Sequence, residues 1–118
     1  YARADLDTAG SLGFENPLRV PPLLEPERDA AGRRALDLRV GEGRAELVRG
    51  VATPTWGVNG PHLGPTIRLR RGDRVLARVR NDLPEVTTMH WHGMHLPARA
   101  DGGPHQPIAP GAVWSPSW

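Results

Sequence analysis

A chain of 118 residues bounds the protein to one domain at most. With 38% hydrophobic and 24% charged residues it suits a soluble globular fold, and no apolar stretch is long enough to span a membrane. The net charge is only +2, and the absence of cysteine excludes disulfides, thiolate metal sites and a cysteine nucleophile.

Gly 14 and Pro 13 are high counts for this length and favour a turn-rich β protein over a helical one. The first residues, Tyr1 to Pro26, are rich in Gly, Pro and acidic side chains and read as part of an extended arm over 1–34 without a core of its own. Tyr1 to Leu12 fit a disordered terminus equally well. From Ala35 the pattern changes: Leu36, Leu38 and Val40 alternate with Asp37 and Arg39, the signature of a half-buried strand. Gly41-Glu42-Gly43 then reads as a turn and Ala45 to Val48 as a short return strand. Pro54 to Pro65 carries enough turn formers to be a loop, with Asn59-Gly60 its tightest point. Ile67 to Arg70 and Arg74 to Arg80 form two more strands joined at Arg71-Gly72-Asp73. Asn81 to Pro84 breaks the run, a strand carrying His90 and His92 follows, Ala109-Pro110-Gly111 turns, and Trp114 to Trp118 starts another strand. No helix longer than a turn or two is predicted.

All the basic residues are arginine, and the sequence pI is 10.3. Arg68, Arg70, Arg78 and Arg80 alternate with Ile67, Leu69, Val75 and Val79, which is the pattern of solvated strand faces. With one Phe and one Tyr there is no aromatic interleaving to stack bases, so nucleic acid is not an expected partner.

Chemistry concentrates in Thr87-Thr88-Met89-His90-Trp91-His92-Gly93-Met94-His95. On a strand His90 and His92 share one face, while Met89 and Trp91 point into apolar packing. Two imidazoles at that spacing reach two neighbouring metal ions or crowd one, and imidazole is a common ligand for copper and zinc. His95 falls on the opposite strand face, and His62 and His105 lie in Gly/Pro loops, so none of the three is expected to be a ligand. Gly93 is expected to allow close packing beside the metal strand.

The segment continues through Asp101-Gly102-Gly103-Pro104 to Pro107-Ile108-Ala109-Pro110-Gly111. HWHG, then DGGP, then PxxPG resembles the first copper-binding segment of multicopper oxidases. Thr55-Trp56-Gly57-Val58-Asn59-Gly60, Leu63-Gly64-Pro65-Thr66 and Arg71-Gly72-Asp73 resemble the opening of that family, in the same order. The likeness is greatest to bacterial periplasmic cuprous oxidases and laccase-like enzymes and covers about two-thirds of the chain.

The resemblance implies an all-β, cupredoxin-like Greek-key sandwich, with 35–118 as part of the first domain of a longer polypeptide, cut before its last strands. It implies that His90 binds the type 2 copper of a trinuclear cluster and His92 one of the type 3 coppers. Asp101 corresponds to an acid near that cluster, and Asp-Gly turn formation is the structural alternative for it. The blue copper, which needs a thiolate, belongs to a last domain outside this chain. The implied partners are dioxygen, a cuprous-ion or phenol-like electron donor and the rest of the same polypeptide, with a periplasmic or secreted location. A non-catalytic copper-binding module is the alternative function. A two-domain copper nitrite reductase fits the Trp-Gly-x-Asn-Gly and HWHG segments less well.

Overall fold

The computed structural model describes residues 19–118, so the expectations for Tyr1 to Leu12, and for the rest of the arm up to residue 18, lie outside the described residues. The fold is all-β, as the composition predicts. Its strands are β1 (Leu23–Leu24), β2 (Glu27–Arg28), β3 (Arg34–Val48), β4 (Val51–Val58), β5 (Thr66–Ile67), β6 (Val75–Asn81) and β7 (Val113–Trp114). Among the described residues the single helix, α1, is one turn over Ala98–Asp101.

β3 organises the sheet. Its first half runs parallel to β6, with Leu36 opposite Ala77, Leu38 opposite Val79 and Val40 opposite Asn81. Because β-strand side chains alternate, these residues face one side together, and all but Asn81, which is buried and polar, form the hydrophobic core with Val75, Leu83 and Ile108. The alternation read over Leu36–Val40 is therefore the core stripe. On the other face Asp37 lies opposite Arg78, and the guanidinium donates to both carboxylate oxygens at 2.5 Å. β7 pairs antiparallel with β6, and the chain stays alongside it to Trp118, whose N–H and C=O both bond Val75.

Three expectations are corrected. Gly41-Glu42-Gly43 is not a turn: β3 continues through it for 15 residues and pairs antiparallel with β4, and the reversal comes at Arg49-Gly50. Gly43 and Gly57 serve contact instead. A Cβ at Gly43 would lie 2.4 Å from Pro61 Cα, and one at Gly57 would lie 2.3 Å from the Gly60 carbonyl oxygen. The segment around Gly60-Pro61 thus lies directly on the hairpin, fastened by the Thr55 hydroxyl donating to the Pro61 carbonyl at 2.5 Å.

Secondly, Pro54 to Val58 belongs to β4 rather than to a loop. Pro54 is tolerated because named strands flank β4 only on the β3 side, so its missing N–H costs no ladder bond on the outer edge. Thirdly, the strand expected over Ile67 to Arg70 shortens to Thr66–Ile67, which pairs parallel with Leu23–Leu24.

Asp82 settles a charge conflict that the parallel register creates. Arg39 and Arg80 are direct neighbours across β3 and β6, and the Asp82 carboxylate accepts from both guanidiniums. The Arg80 hydrogen bond, then that of Arg39, holds the Asp82 carboxyl below its ordinary value, and Arg78 does the same for Asp37. Asp29 and Asp73 are lowered chiefly by the backbone N–H groups of Arg33 and Arg70. A carboxylate with a depressed folded pKa adds stability above its unfolded value, about 3.9, and loses it as pH falls through the folded value. The urea midpoint should therefore hold steady down to about pH 5 and decline toward about pH 2. Asp82→Asn should flatten that decline, and an unchanged acid profile would show that the Arg39–Asp82–Arg80 bridge contributes nothing.

Candidate metal centre

The segment carrying His90 and His92 is not a ladder strand. Its regular pairing is one antiparallel bridge, Thr87 to Ile108, after which Trp91 C=O accepts from Met94 N–H in a turn. Gly93 makes that turn at φ +79°, with open space where a Cβ would stand, so its role is conformational and not the close packing expected. His95 lies beyond the turn and is exposed, so the strand-face reasoning that set it apart does not apply, although it remains outside the pair.

The two histidines are nevertheless brought together. Their ring centroids lie 5.5 Å apart at an interplanar angle of 84°, and both rings are exposed. Behind them Met89 and Trp91 pack on the core, with Trp91 5.0 Å from Trp118. The in-and-out division expected of a strand thus survives without the strand.

His90 is oriented by Asp101 in a way the sequence did not suggest. Its Nδ1 sits 3.0 Å from the Asp101 backbone carbonyl oxygen, while the nearest carboxylate oxygen is 3.6 Å away. A carbonyl only accepts, so Nδ1 carries the proton and Nε2 is left with its lone pair exposed. That is the tautomer a metal-binding imidazole needs, held by an outer hydrogen bond of the usual kind. The same carbonyl also accepts from Trp91 N–H at 3.3 Å.

The turn after Asp101 must come this close, and Gly102 permits it. Its φ is +72°, and a Cβ there would fall 1.6 Å from the Met89 carbonyl oxygen. Gly102 N–H donates to Gln106 Oε1 at 2.7 Å. From below, buried Asn81 ties the supporting loops. Its amide donates to Glu85 and Ile108 carbonyls at 2.8 Å, and its oxygen accepts from Leu83 N–H at 2.9 Å. Sequence reasoning missed Gly102, Gln106 and Asn81, which fasten the turn and loops around the pair. His62 and His105 stand exposed in their loops.

Among the described residues no three His, Cys, Asp or Glu side chains converge as a metal cluster. Two exposed imidazoles side by side, one held as the Nδ1–H tautomer, are a donor pair that suits copper.

The family model described as multicopper oxidase matches residues 39–118. The chain belongs to the multicopper oxidase family. This multicopper oxidase chain is 40% identical over 97 residues to multicopper oxidase mco of Staphylococcus aureus, covering 82% of this chain and 22% of that protein. It is 38% identical over 108 residues to the cell division protein FtsP of Salmonella typhimurium, covering 92% of this chain and 22% of that one. Among solved structures it superposes with TM-score 0.77 on the laccase-like multicopper oxidase CueO from Ochrobactrum sp., at 44% identity. That match covers 86% of this chain and 22% of the other. The fold is the cupredoxin-like one of these oxidases, and membership of the family implies copper as cofactor. The chain spans about a fifth of the length of the curated relatives it matches, 22% for both mco and FtsP.

Proposed function

We propose that residues 35–118 form part of the first cupredoxin-like domain of a multicopper oxidase. The enzyme couples one-electron oxidation of a donor, cuprous ion or a phenol-like compound, to four-electron reduction of dioxygen to water. The observation that carries the reading is the pairing of His90 with His92 under a carbonyl that fixes the His90 tautomer. In this reading His90 Nε2 faces the type 2 copper and His92 one of the type 3 coppers of a trinuclear cluster completed by other domains. Copper bound there would pass the donor's electrons on to dioxygen. The chain's own residues hold and orient. Asp101 acts twice, its carbonyl aiming the His90 ring and its carboxyl, with Oδ1 3.6 Å from His90 Nδ1, helping protons reach reduced oxygen. The Ochrobactrum relative, described with oxidase activity towards lignin model compounds, supports phenol-like donors.

Location outside the cytoplasm, in the periplasm or as a secreted protein, goes with this reading, as does the blue copper in a later domain. Among the described residues no helix is long and apolar enough to cross a membrane.

The likeness to FtsP favours a second reading, a non-catalytic cupredoxin-like module. Oxygen consumption by the full-length, copper-loaded protein with cuprous ion or a phenol separates the two. Turnover supports the oxidase, and copper binding without turnover supports the module. The 118-residue chain alone, loaded with copper, should consume no oxygen above the free-ion background. It offers two cluster imidazoles and no thiolate for electron entry, so turnover by the isolated chain would overturn the shared-cluster reading.

A further inference from the structure

One peptide group, between Asp101 and Gly102, joins Gln106 to His90. Its N–H donates to Gln106 Oε1 at 2.7 Å, and its C=O accepts from His90 Nδ1 at 3.0 Å. The chain contains no cis peptide bond among the described residues, so this C=O and N–H point in opposite directions. Fixing one end therefore fixes the direction of the other. Gln106 is itself anchored, since its own N–H bonds the Gly103 carbonyl at 2.9 Å. The side chain and the turn thus close on each other around two buried glycines.

From this geometry we infer that Gln106 is a positioning residue for the copper site, acting on His90 through the 101–102 peptide. This rests on the assignment of His90 as a ligand. Two physical effects operate together. Accepting the Gly102 N–H stops the peptide plane from rotating, which keeps the carbonyl on the Nδ1 side of the ring. It also polarises the peptide, because hydrogen bonds in series strengthen one another, so the carbonyl holds the Nδ1 proton more firmly. The ring then presents Nε2 to copper in one tautomer and one orientation. His92 has no such link to the 101–102 peptide, so the effect should be confined to His90.

The test compares Gln106→Leu, which removes the acceptor, with Gln106→Glu, which keeps an oxygen at the same reach. Imidazole nitrogen NMR on metal-free, full-length protein reads the tautomer of each histidine, and copper titration reads affinity. Gln106→Leu should shift His90 from the pure Nδ1–H form to a mixture, leave His92 unchanged, and weaken copper binding at the His90 site about 10- to 100-fold. Gln106→Glu should restore the parent tautomer and most of the affinity. Should Gln106→Leu fail to fold, Gln106→Asn, whose amide is one methylene too short, takes its place. An unchanged His90 signal in the acceptor-free variant would overturn the inference, as would equal shifts at His90 and His92, which mark general loosening. If His90→Ala itself keeps full copper, the ligand assignment fails, while the NMR result still decides the Gln106 linkage.

Discussion

Replacing Gly102 with alanine should cost the protein roughly 3 kcal/mol or more of stability and empty the copper site in whatever fraction still folds. Two penalties combine at this position. The backbone sits at φ +72° and ψ 148°, a region that only glycine enters freely and that costs an L side chain about 1–3 kcal/mol. The added Cβ would also stand 1.6 Å from the Met89 carbonyl oxygen and 3.2 Å from His90 Cα, so the turn and the histidine segment must part. Gly72→Ala separates the two terms. Its φ is +91° and nothing lies within 4 Å of the new methyl, so it carries the conformational penalty alone. Denaturant midpoints for the two variants, with copper counted on the folded fraction, give the comparison. If Gly102→Ala is no worse than Gly72→Ala and keeps its copper, the turn does not need its close approach to Met89.

The same contact shows where sequence reasoning stops. A strand's period of two is local, so the core stripe of Leu36, Leu38 and Val40 was legible from the residues themselves. The glycines of the β3–β4 hairpin were misread because Gly marks both turns and close approaches. Which one applies at Gly43 depends on Pro61, far along the chain. The histidine pair was legible as a pair, and Met89 and Trp91 as its apolar backing. The strand assumed to present it was not needed, because the segment is held by Ile108 and by the Asp101 carbonyl. Asp101 was singled out for its carboxylate, yet the atom 3.0 Å from His90 is a backbone oxygen. A backbone carbonyl has no letter in a sequence. Gln106 and Asn81 escaped notice for a related reason, since each acts by bonding main-chain groups of other loops.

The histidines themselves should give the largest effect on function. In the full-length protein, His90→Ala or His92→Ala should deplete the trinuclear cluster and reduce oxygen consumption at least about 100-fold, while a blue copper in another domain stays loaded. The reason is locality. Each ring is an exposed donor at the proposed oxygen site, backed by core residues that the substitution leaves in place. His90→Ala removes the side chain that the Asp101 carbonyl aims, but the carbonyl keeps Trp91 N–H as a partner, so the fold should survive. Asp101→Asn should separate the two roles of that residue. Its main-chain carbonyl remains, so His90 should stay oriented and most copper should be retained. Turnover should slow because the ionisable carboxyl is gone. His95→Ala, beyond the turn and outside the pair, should be mild. Copper content, the visible band of the blue site and oxygen uptake across the four variants decide the matter. Loss of copper from His95→Ala with retention in His92→Ala would move the second ligand to the far side of the turn. Loss of copper from Asp101→Asn would make its carboxylate, rather than its carbonyl, the group that holds the site together.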